Sequence, residues 1–409
     1  MQILFIHHAF PGQFKFIAPL LAVKGHEVVA LTHEKPVYPT PKIKIIQFNK
    51  ASPHKGLDLW AQVMLDKFWC GQQVLETSEK LKDDGFLPQV VYCHPDWGES
   101  LFLREAFPDA KILTYVEHYY SDINYDSLFD KEFVDSSLEI HSKAKSFNAL
   151  RLMSLEYCDK GICPTEFQKQ NQPIAYQDKI IQVHDGIQTN QLVRNDSASI
   201  TIKNKGITLS RQDEVITFAN RGLEPRRGFH VFMRAIPEIQ RQRPNAEIVI
   251  LGKDVIVYGN YKKLPNDNSF KQHMLEELAG KINLDKVHFV DWVDYQTYKN
   301  IIQVSKVHVY LTMPFVLSWS LLEIMSVQGC VIGSNTEPVR EVIEDEVHGL
   351  LVEFSDTQDI ADKITRVLND DVLRERLGLN ARKLVINNYD LNSICLPKQV
   401  DIIESMGLQ

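Results

Sequence analysis

Short apolar runs alternating with helical segments predict an α/β protein made of two doubly wound domains. Three observations carry that expectation. Runs rich in Val and Ile recur along the whole chain, each bounded by polar turns, as buried parallel strands are. The series then restarts after Gln188–Asp213, a polar, irregular stretch that reads as a linker and the start of a new domain. The length of 409 residues suits two domains at about 100–200 residues each. A (β/α)8 barrel could absorb as many β-α units, but the break in the series argues for two sheets.

The first set of strands is read at Ile3–Ile6, Val28–Thr32, Val90–Cys93, Ile112–Val116 and Gly161–Cys163, with spacings long enough for crossover helices such as the apolar pattern Phe16–Val23. The second set is Val215–Ala219, Ile248–Leu251, Val287–Val290, Val307–Leu311, Val331–Gly333 and Leu350–Val352. Between the fourth and fifth strands, Tyr119–Asp159 lapses into aromatic and charged residues (Tyr119, Tyr120, Tyr125, Phe129, Phe133). That stretch is either a substrate-facing insertion or an ordinary edge of loop and helix.

Composition narrows the class. Lys and Arg number 45 against 53 Asp and Glu, for a net charge of −8. The signs are mixed, so charge runs read as solvated faces, and a nucleic-acid partner is disfavoured. A hydrophobic fraction of 44% excludes fibrous and disordered classes. Six scattered cysteines form no C-x-x-C pair and lack a His/Cys cluster for zinc, so they read as reduced, buried thiols and no metal site is expected. The opening run Ile3–Ile6 is too short for a signal peptide or a membrane span, and the expectation is a cytoplasmic protein.

Candidate chemistry lies in the turns that follow the strands, because open α/β sheets bind ligands at the carboxyl ends of their strands. The first turn, His7-His8-Ala9-Phe10-Pro11-Gly12-Gln13-Phe14, has one glycine and no dinucleotide fingerprint, which disfavours hydride transfer. His94-Pro95-Asp96-Trp97-Gly98-Glu99 and Glu117-His118-Tyr119-Tyr120 end neighbouring strands, where each histidine is either a satisfied structural residue or part of a site. In the second half, Asn220-Arg221-Gly222-Leu223-Glu224-Pro225-Arg226-Arg227-Gly228 opens a helix. Three arginines in one turn favour a shared phosphate over a solvated basic turn, since guanidinium forks match phosphate and the helix dipole adds to them. Thr312–Met325 leaves a strand and enters a helix near Ser320, read as its N-cap, with Glu323 in the first turn, where the dipole favours a carboxylate that could also hold a ribose diol.

Together these motifs resemble the family 4 retaining glycosyltransferases along nearly the full chain, most densely over Val215–Gly228 and Val287–Val352. The resemblance implies the GT-B fold, two Rossmann-like domains facing across a cleft, with residues 1–186 and a returning segment 386–409 on the acceptor side and 187–385 binding the nucleotide sugar. It implies transfer of a sugar from a nucleotide diphosphate sugar to a glycan, lipid-linked or other hydroxyl acceptor, without metal or cofactor. Phe10–Phe14 and Gly25-His26-Glu27-Val28 resemble members that build surface polysaccharides and glycans, and a peripheral contact with the inner face of a membrane fits that setting. Arg221 and Arg227 match the donor-diphosphate clamp, Arg227 standing where Lys is common, and His118 matches the active-site histidine. The implied donor-binding set is Gly12, Phe315, Ser318, Ser320, Leu321, Leu322 and Glu323, with His8, His94 and Glu117 on the acceptor side. Val183-His184-Asp185-Gly186-Ile187 is similar to the interdomain Asn-Gly-Val/Ile turn, with Asp185 in the Asn place. One position departs: of the two glutamates in the family's E-x7-E signature, the second is Glu323, but the first is replaced by Phe315. That leaves three alternatives to transfer with an altered donor pocket: a GT-B nucleotide-sugar epimerase, a phosphorylase, or a non-catalytic nucleotide-sugar-binding subunit.

Overall fold

The computed structural model describes residues 1–408 other than 36–39, 50–55, 57–58, 121–128, 134–136, 204 and 260. It divides into two compact units, Met1–Ile123 with Leu138–Gly186 and Asn392–Gln409, and Asn124–Ser137 with Ile187–Leu391. Each unit carries its own open parallel sheet, so the barrel alternative is excluded.

In the first unit the strands are β1 (Gln2–His7), β2 (Glu27–Thr32), β3 (Ile43–Gln47), β4 (Val90–Cys93), β5 (Lys111–Tyr115), β6 (Lys160–Cys163) and β7 (Ile180–Gln182). They lie in the order β3-β2-β1-β4-β5-β6-β7, all parallel. The central strands are mostly apolar because helices cover both faces. Leu4, Ile6, Val29, Leu31, Val91 and Ile112 sit in one core cluster with Leu81, Ala106 and Leu155 from the helices. Two strands were not expected, β3 and β7. Both are edge strands, short and only partly buried, and so lack the apolar run that marks a central strand. The last helix, Leu396–Gly407, packs on this unit, burying Val400, Ile403 and Met406 and pairing Glu404 with Lys24 and His26 at 2.8 and 2.9 Å. The chain passes to it after Leu391 rather than at 386.

The second unit opens with a correction to the linker reading. Ser199–Ile202 (β8) and Ile207–Ser210 (β9) pair as an antiparallel hairpin. Ile200, Ile202 and Leu209 are buried between exposed polar residues, a period-2 pattern too short and too polar to stand out. The main sheet contains β10 (Val215–Gly222), β11 (Glu247–Lys253), β12 (Val287–Val290), β13 (Val307–Tyr310), β14 (Val331–Ser334) and β15 (Leu350–Val352), in the order β12-β11-β10-β13-β14-β15. Its core joins Phe218, Ile250 and Val309 to Phe229, Phe232 and Ile236 of the helix Phe229–Gln242. Tyr119–Asp159 also resolves into parts. Ser137–Tyr157 is a helix, and a stretch just before it belongs to the second unit. There Phe133 inserts its ring 5.1 Å from Phe270 and 5.2 Å from His230, while Asp130 pairs with His230 at 2.8 Å and Glu132 with Arg234 at 2.6 Å. Tyr125 lies outside the described residues. Among the described residues no helix is long and apolar enough to cross a membrane.

Candidate active site

Strand order places the candidate sites. In the second sheet the chain runs outward from β10 through β11 to β12, then returns to lay β13 on the other side of β10. At such a reversal the two flanking loops leave in opposite directions and open a crevice at the carboxyl edge. The loop after β10 is the arginine turn, and the loop after β13 is 311–318, so both predicted donor loops meet at this switch point.

The turn is built locally. Gly228 ends it with φ +67°, and a Cβ there would stand 2.4 Å from Leu311 Cβ, so glycine alone lets the helix Phe229–Gln242 begin against β13. Glu224 is fully buried and accepts the backbone N–H groups of Val257 and Tyr258 at 3.0 Å, which ties loop 254–258 to the turn. Burial raises its carboxyl to about 7. Arg227 is buried, donating to Thr312 Oγ1 and to the Val316 carbonyl, both at 2.9 Å, so its guanidinium bridges the two loops. Arg221 is exposed, 3.4 Å from the Tyr258 hydroxyl. Arg226 is buried and stacks on Phe315, its guanidinium carbon 4.6 Å from the ring centroid. Phe315 also lies 5.2 Å below Arg227 and 5.3 Å from Tyr258. Where the E-x7-E pattern has its first carboxylate, this chain has an aromatic ring packed under two guanidiniums and 7% exposed.

The helix that follows is Trp319–Ser326, and its N-cap is Ser318, not Ser320. Ser318 has extended backbone and accepts from Ser320 N–H at 3.4 Å, with its own N–H held by the Tyr310 hydroxyl at 2.9 Å. Either serine satisfies a capping preference, and only the buried Tyr310 beneath the loop chooses between them. The shift by two residues puts Ser320, Leu321 and Leu322 in the first turn and moves Glu323 beyond it. Glu323 therefore owes its place to Tyr295, whose hydroxyl it accepts at 2.7 Å, rather than to the helix dipole. Leu321 and Leu322 have buried side chains, and the Leu321 N–H donates to the Ser318 carbonyl at 3.2 Å.

The first sheet reverses between β1 and β4, and the His7–Phe14 and His94–Glu99 loops meet there. Gly12 has φ +46°, and a Cβ would stand 2.3 Å from the His7 imidazole, so the turn folds over that ring. His7 accepts Ala9 N–H on Nδ1 at 2.9 Å, which leaves Nε2–H for Gln13 Oε1 at 2.7 Å. Burial, then His94, lowers its pKa to about 3, so His7 is neutral. His94 is fully buried 5.0 Å from His7. Burial works against its charge, but Glu117 at 3.3 Å raises its pKa. His8 stacks on Trp97 at 4.7 Å and on His33 at 4.5 Å. His118, 8% exposed, meets Tyr120 edge-on at 4.8 Å. His94 and Glu117, both expected on the acceptor side, thus touch directly, and His8 lies 3.9 Å from Glu99. In the turn that ends this unit, Asp185 accepts the Tyr115 hydroxyl at 3.0 Å and Gly186 has φ +95°.

Sequence reasoning missed the groups beneath these loops. Asp96 and Arg151 form a buried two-pronged pair at 2.9 and 3.0 Å, the guanidinium holding the Asp96 carboxyl below the usual range against the effect of burial. Glu99 is fully buried and accepts Trp97 N–H at 3.0 Å, and burial lifts its carboxyl to about 7. Because that value lies above the unfolded one, its contribution to stability is complete below about pH 4.5 and is lost as pH rises through 7. Glu99→Gln, which cannot ionise, is expected to gain about 2–3 kcal/mol on the wild type between pH 5 and pH 8. Thermal melts across that range check this, and a constant difference would refute it.

Two family profiles match the chain: "Glycosyl transferase family 4 group" over residues 24–192 and "Glycosyl transferases group 1" over 200–384. An uncharacterized glycosyltransferase of Methanocaldococcus jannaschii is 27% identical over 93% of this chain and 90% of its own length. A phosphatidyl-myo-inositol mannosyltransferase of Mycolicibacterium smegmatis is 26% identical over 44% of this chain and 42% of its own. Among solved structures, sucrose-phosphate synthase of Thermosynechococcus elongatus superposes with TM-score 0.75 over 100% of both chains at 17% identity. Anabaena HepE in complex with UDP-glucose superposes with TM-score 0.69 over 99% of both at 13% identity. The chain belongs to the family 4 retaining glycosyltransferases and has their GT-B fold.

Proposed function

We propose that this enzyme moves a sugar from a nucleotide diphosphate sugar to a glycan, lipid-linked or other hydroxyl acceptor, with retention at the anomeric carbon, in the synthesis of a surface polysaccharide or related glycan. The observation that carries the reading is the meeting of Arg221 and Arg227 with the start of the helix Trp319–Ser326 at one switch point. When the bond from the sugar to the β-phosphate breaks, negative charge grows on the departing phosphate. Two guanidiniums and the positive end of the helix Trp319–Ser326 are placed to receive it. That charge stabilisation needs no metal ion. Glu323 accepts from the ribose, and His118, His8, His94 and Glu117 serve the sugar and the acceptor. The test is nucleotide release from a panel of nucleotide sugars, with and without acceptors and with EDTA. Release that depends on acceptor and is indifferent to EDTA supports the reading. Free sugar released without acceptor points to the epimerase, and no turnover with tight nucleotide binding points to a binding subunit.

His118→Ala is expected to lower kcat at least tenfold while changing nucleotide affinity less than twofold, as for an interaction made mainly near the transition state. Wild-type turnover would make this histidine a structural partner of Tyr120.

A further inference from the structure

Most large apolar side chains left open in the second unit belong elsewhere, but four gather on one edge. Val255 is 49% exposed, Ile256 52%, Trp292 64% and Tyr295 48%. Val255, Ile256 and Trp292 lie on the loops after β11 and β12, and Tyr295 opens the helix that follows β12; these adjacent parallel strands have carboxyl ends on the edge that carries the arginine turn. Both loops are bonded to the donor groups. Loop 254–258 is held by Glu224 and brings the Tyr258 hydroxyl to Arg221, while Tyr295 hands its hydroxyl to Glu323. Trp292 lies three residues before Tyr295, the residue bonded to the proposed ribose-binding carboxylate. Lys253 places its ammonium 5.3 Å from the indole centroid, which holds one face of the ring and leaves most of its surface open.

Resting on the donor-site reading above, we propose that Trp292 is the stacking platform for the nucleobase of the donor and that Asp291 beside it selects guanine. An open indole joined to phosphate- and ribose-binding groups suits a planar aromatic ligand, and base-on-aromatic stacking is tolerant of base identity. Selection then needs a polar reader. Asp291 is exposed, and its Oδ1 accepts the backbone N–H of Trp292 at 2.7 Å, which fixes the carboxylate next to the platform. An ionised carboxylate only accepts hydrogen bonds and has two oxygens. Guanine offers two adjacent donors, N1–H and the N2 amino group, that match them. Uracil offers one N–H flanked by two carbonyl oxygens, which the carboxylate repels, and adenine pairs its amino group with a ring acceptor.

Calorimetry of GDP, UDP and ADP binding to the full chain tests this, using wild type, Trp292→Ala, Asp291→Asn and, as comparator, Arg221→Ala. The wild type is expected to bind GDP about tenfold more tightly than UDP or ADP. Trp292→Ala should lose about five- to 150-fold in GDP affinity. Asp291→Asn should bring GDP to within about threefold of UDP. Because Trp292 and Asp291 are both exposed, neither change removes core packing, and unchanged thermal melts confirm folded variants. If Arg221→Ala weakens GDP binding but Trp292→Ala does not, the platform is wrong and the donor site stands. If the wild type binds UDP or ADP as tightly as GDP, the assignment of guanine is wrong. If no nucleoside diphosphate binds the wild type, the donor-site reading fails and takes this inference with it.

Discussion

Arg227→Ala is expected to cost the protein both its donor and part of its stability. The guanidinium is buried and bridges Thr312 Oγ1 and the Val316 carbonyl across the switch point of the second sheet. A charge-assisted hydrogen bond to a partly desolvated phosphate is worth about 1.5–3 kcal/mol, so nucleoside diphosphate affinity should fall about ten- to 100-fold. Truncation also strips the Val316 carbonyl of its donor and leaves a cavity beneath loop 311–318, which should lower stability by about 1–3 kcal/mol. Arg221→Ala supplies the contrast. That side chain is exposed, its guanidinium 3.4 Å from the Tyr258 hydroxyl. It should lose comparable affinity for nucleoside diphosphate with stability unchanged to within about 0.5 kcal/mol. Nucleoside affinity should hardly change in either variant. Calorimetry with nucleoside and nucleoside diphosphate, beside urea titrations, separates the cases. Equal losses for both ligands would make the arginines structural.

Phe315→Glu is expected to change which donors the enzyme prefers. In the wild type no hydrogen bond to a sugar hydroxyl can come from this position, so donors that do without one, deoxy sugars and pentoses, should rank ahead of hexoses. A carboxylate here would accept from a sugar hydroxyl, worth about 1.5–3 kcal/mol or ten- to 100-fold in favour of hexoses. The structure adds a competing effect, because the ring lies under Arg226 and Arg227 at 4.6 and 5.2 Å. A carboxylate among those cations would pair with them and weaken diphosphate binding for every donor alike. The two effects separate cleanly, since one re-orders the donors and the other lowers all of them. If wild type and variant rank hexoses, deoxyhexoses and pentoses identically, Phe315 only supports the arginines and selects no sugar.

The buried middle of each sheet was legible because it is written locally. A central parallel strand covered on both faces needs a run that is apolar or nearly so; β1, β4 and β11 have an unbroken one, and β10 and β13 are broken only by the buried Thr217 and His308. The edge strands β3 and β7 and the hairpin β8–β9 were not, since a strand with one open side carries polar residues that read as loop. The arginine turn was visible as a cluster within nine residues, Asn220 to Gly228, and its phosphate chemistry follows from residue type. Nothing nearby announced Tyr258 or Tyr295 as partners of Arg221 and Glu323, which lie 37 and 28 positions away.

What the sequence by itself determined is therefore the class: two doubly wound α/β domains, a phosphate-seeking turn after one strand, a polar turn into a helix after another, and the family these motifs resemble. Such features depend on spacing and residue type within one turn or strand. Tertiary structure decided how the groups are used. It set the cap at Ser318 instead of Ser320 through the hydroxyl of Tyr310, eight residues earlier in the chain. It moved part of Tyr119–Asp159 into the second unit, where Phe133 is buried against Phe270. It locked Arg227 to Val316 across 89 positions and laid Phe315 under two guanidiniums. Contacts of that separation are fixed by which strands neighbour one another, and neighbourhood in a doubly wound sheet is set by the direction in which each crossover folds back, which no local run of residues specifies.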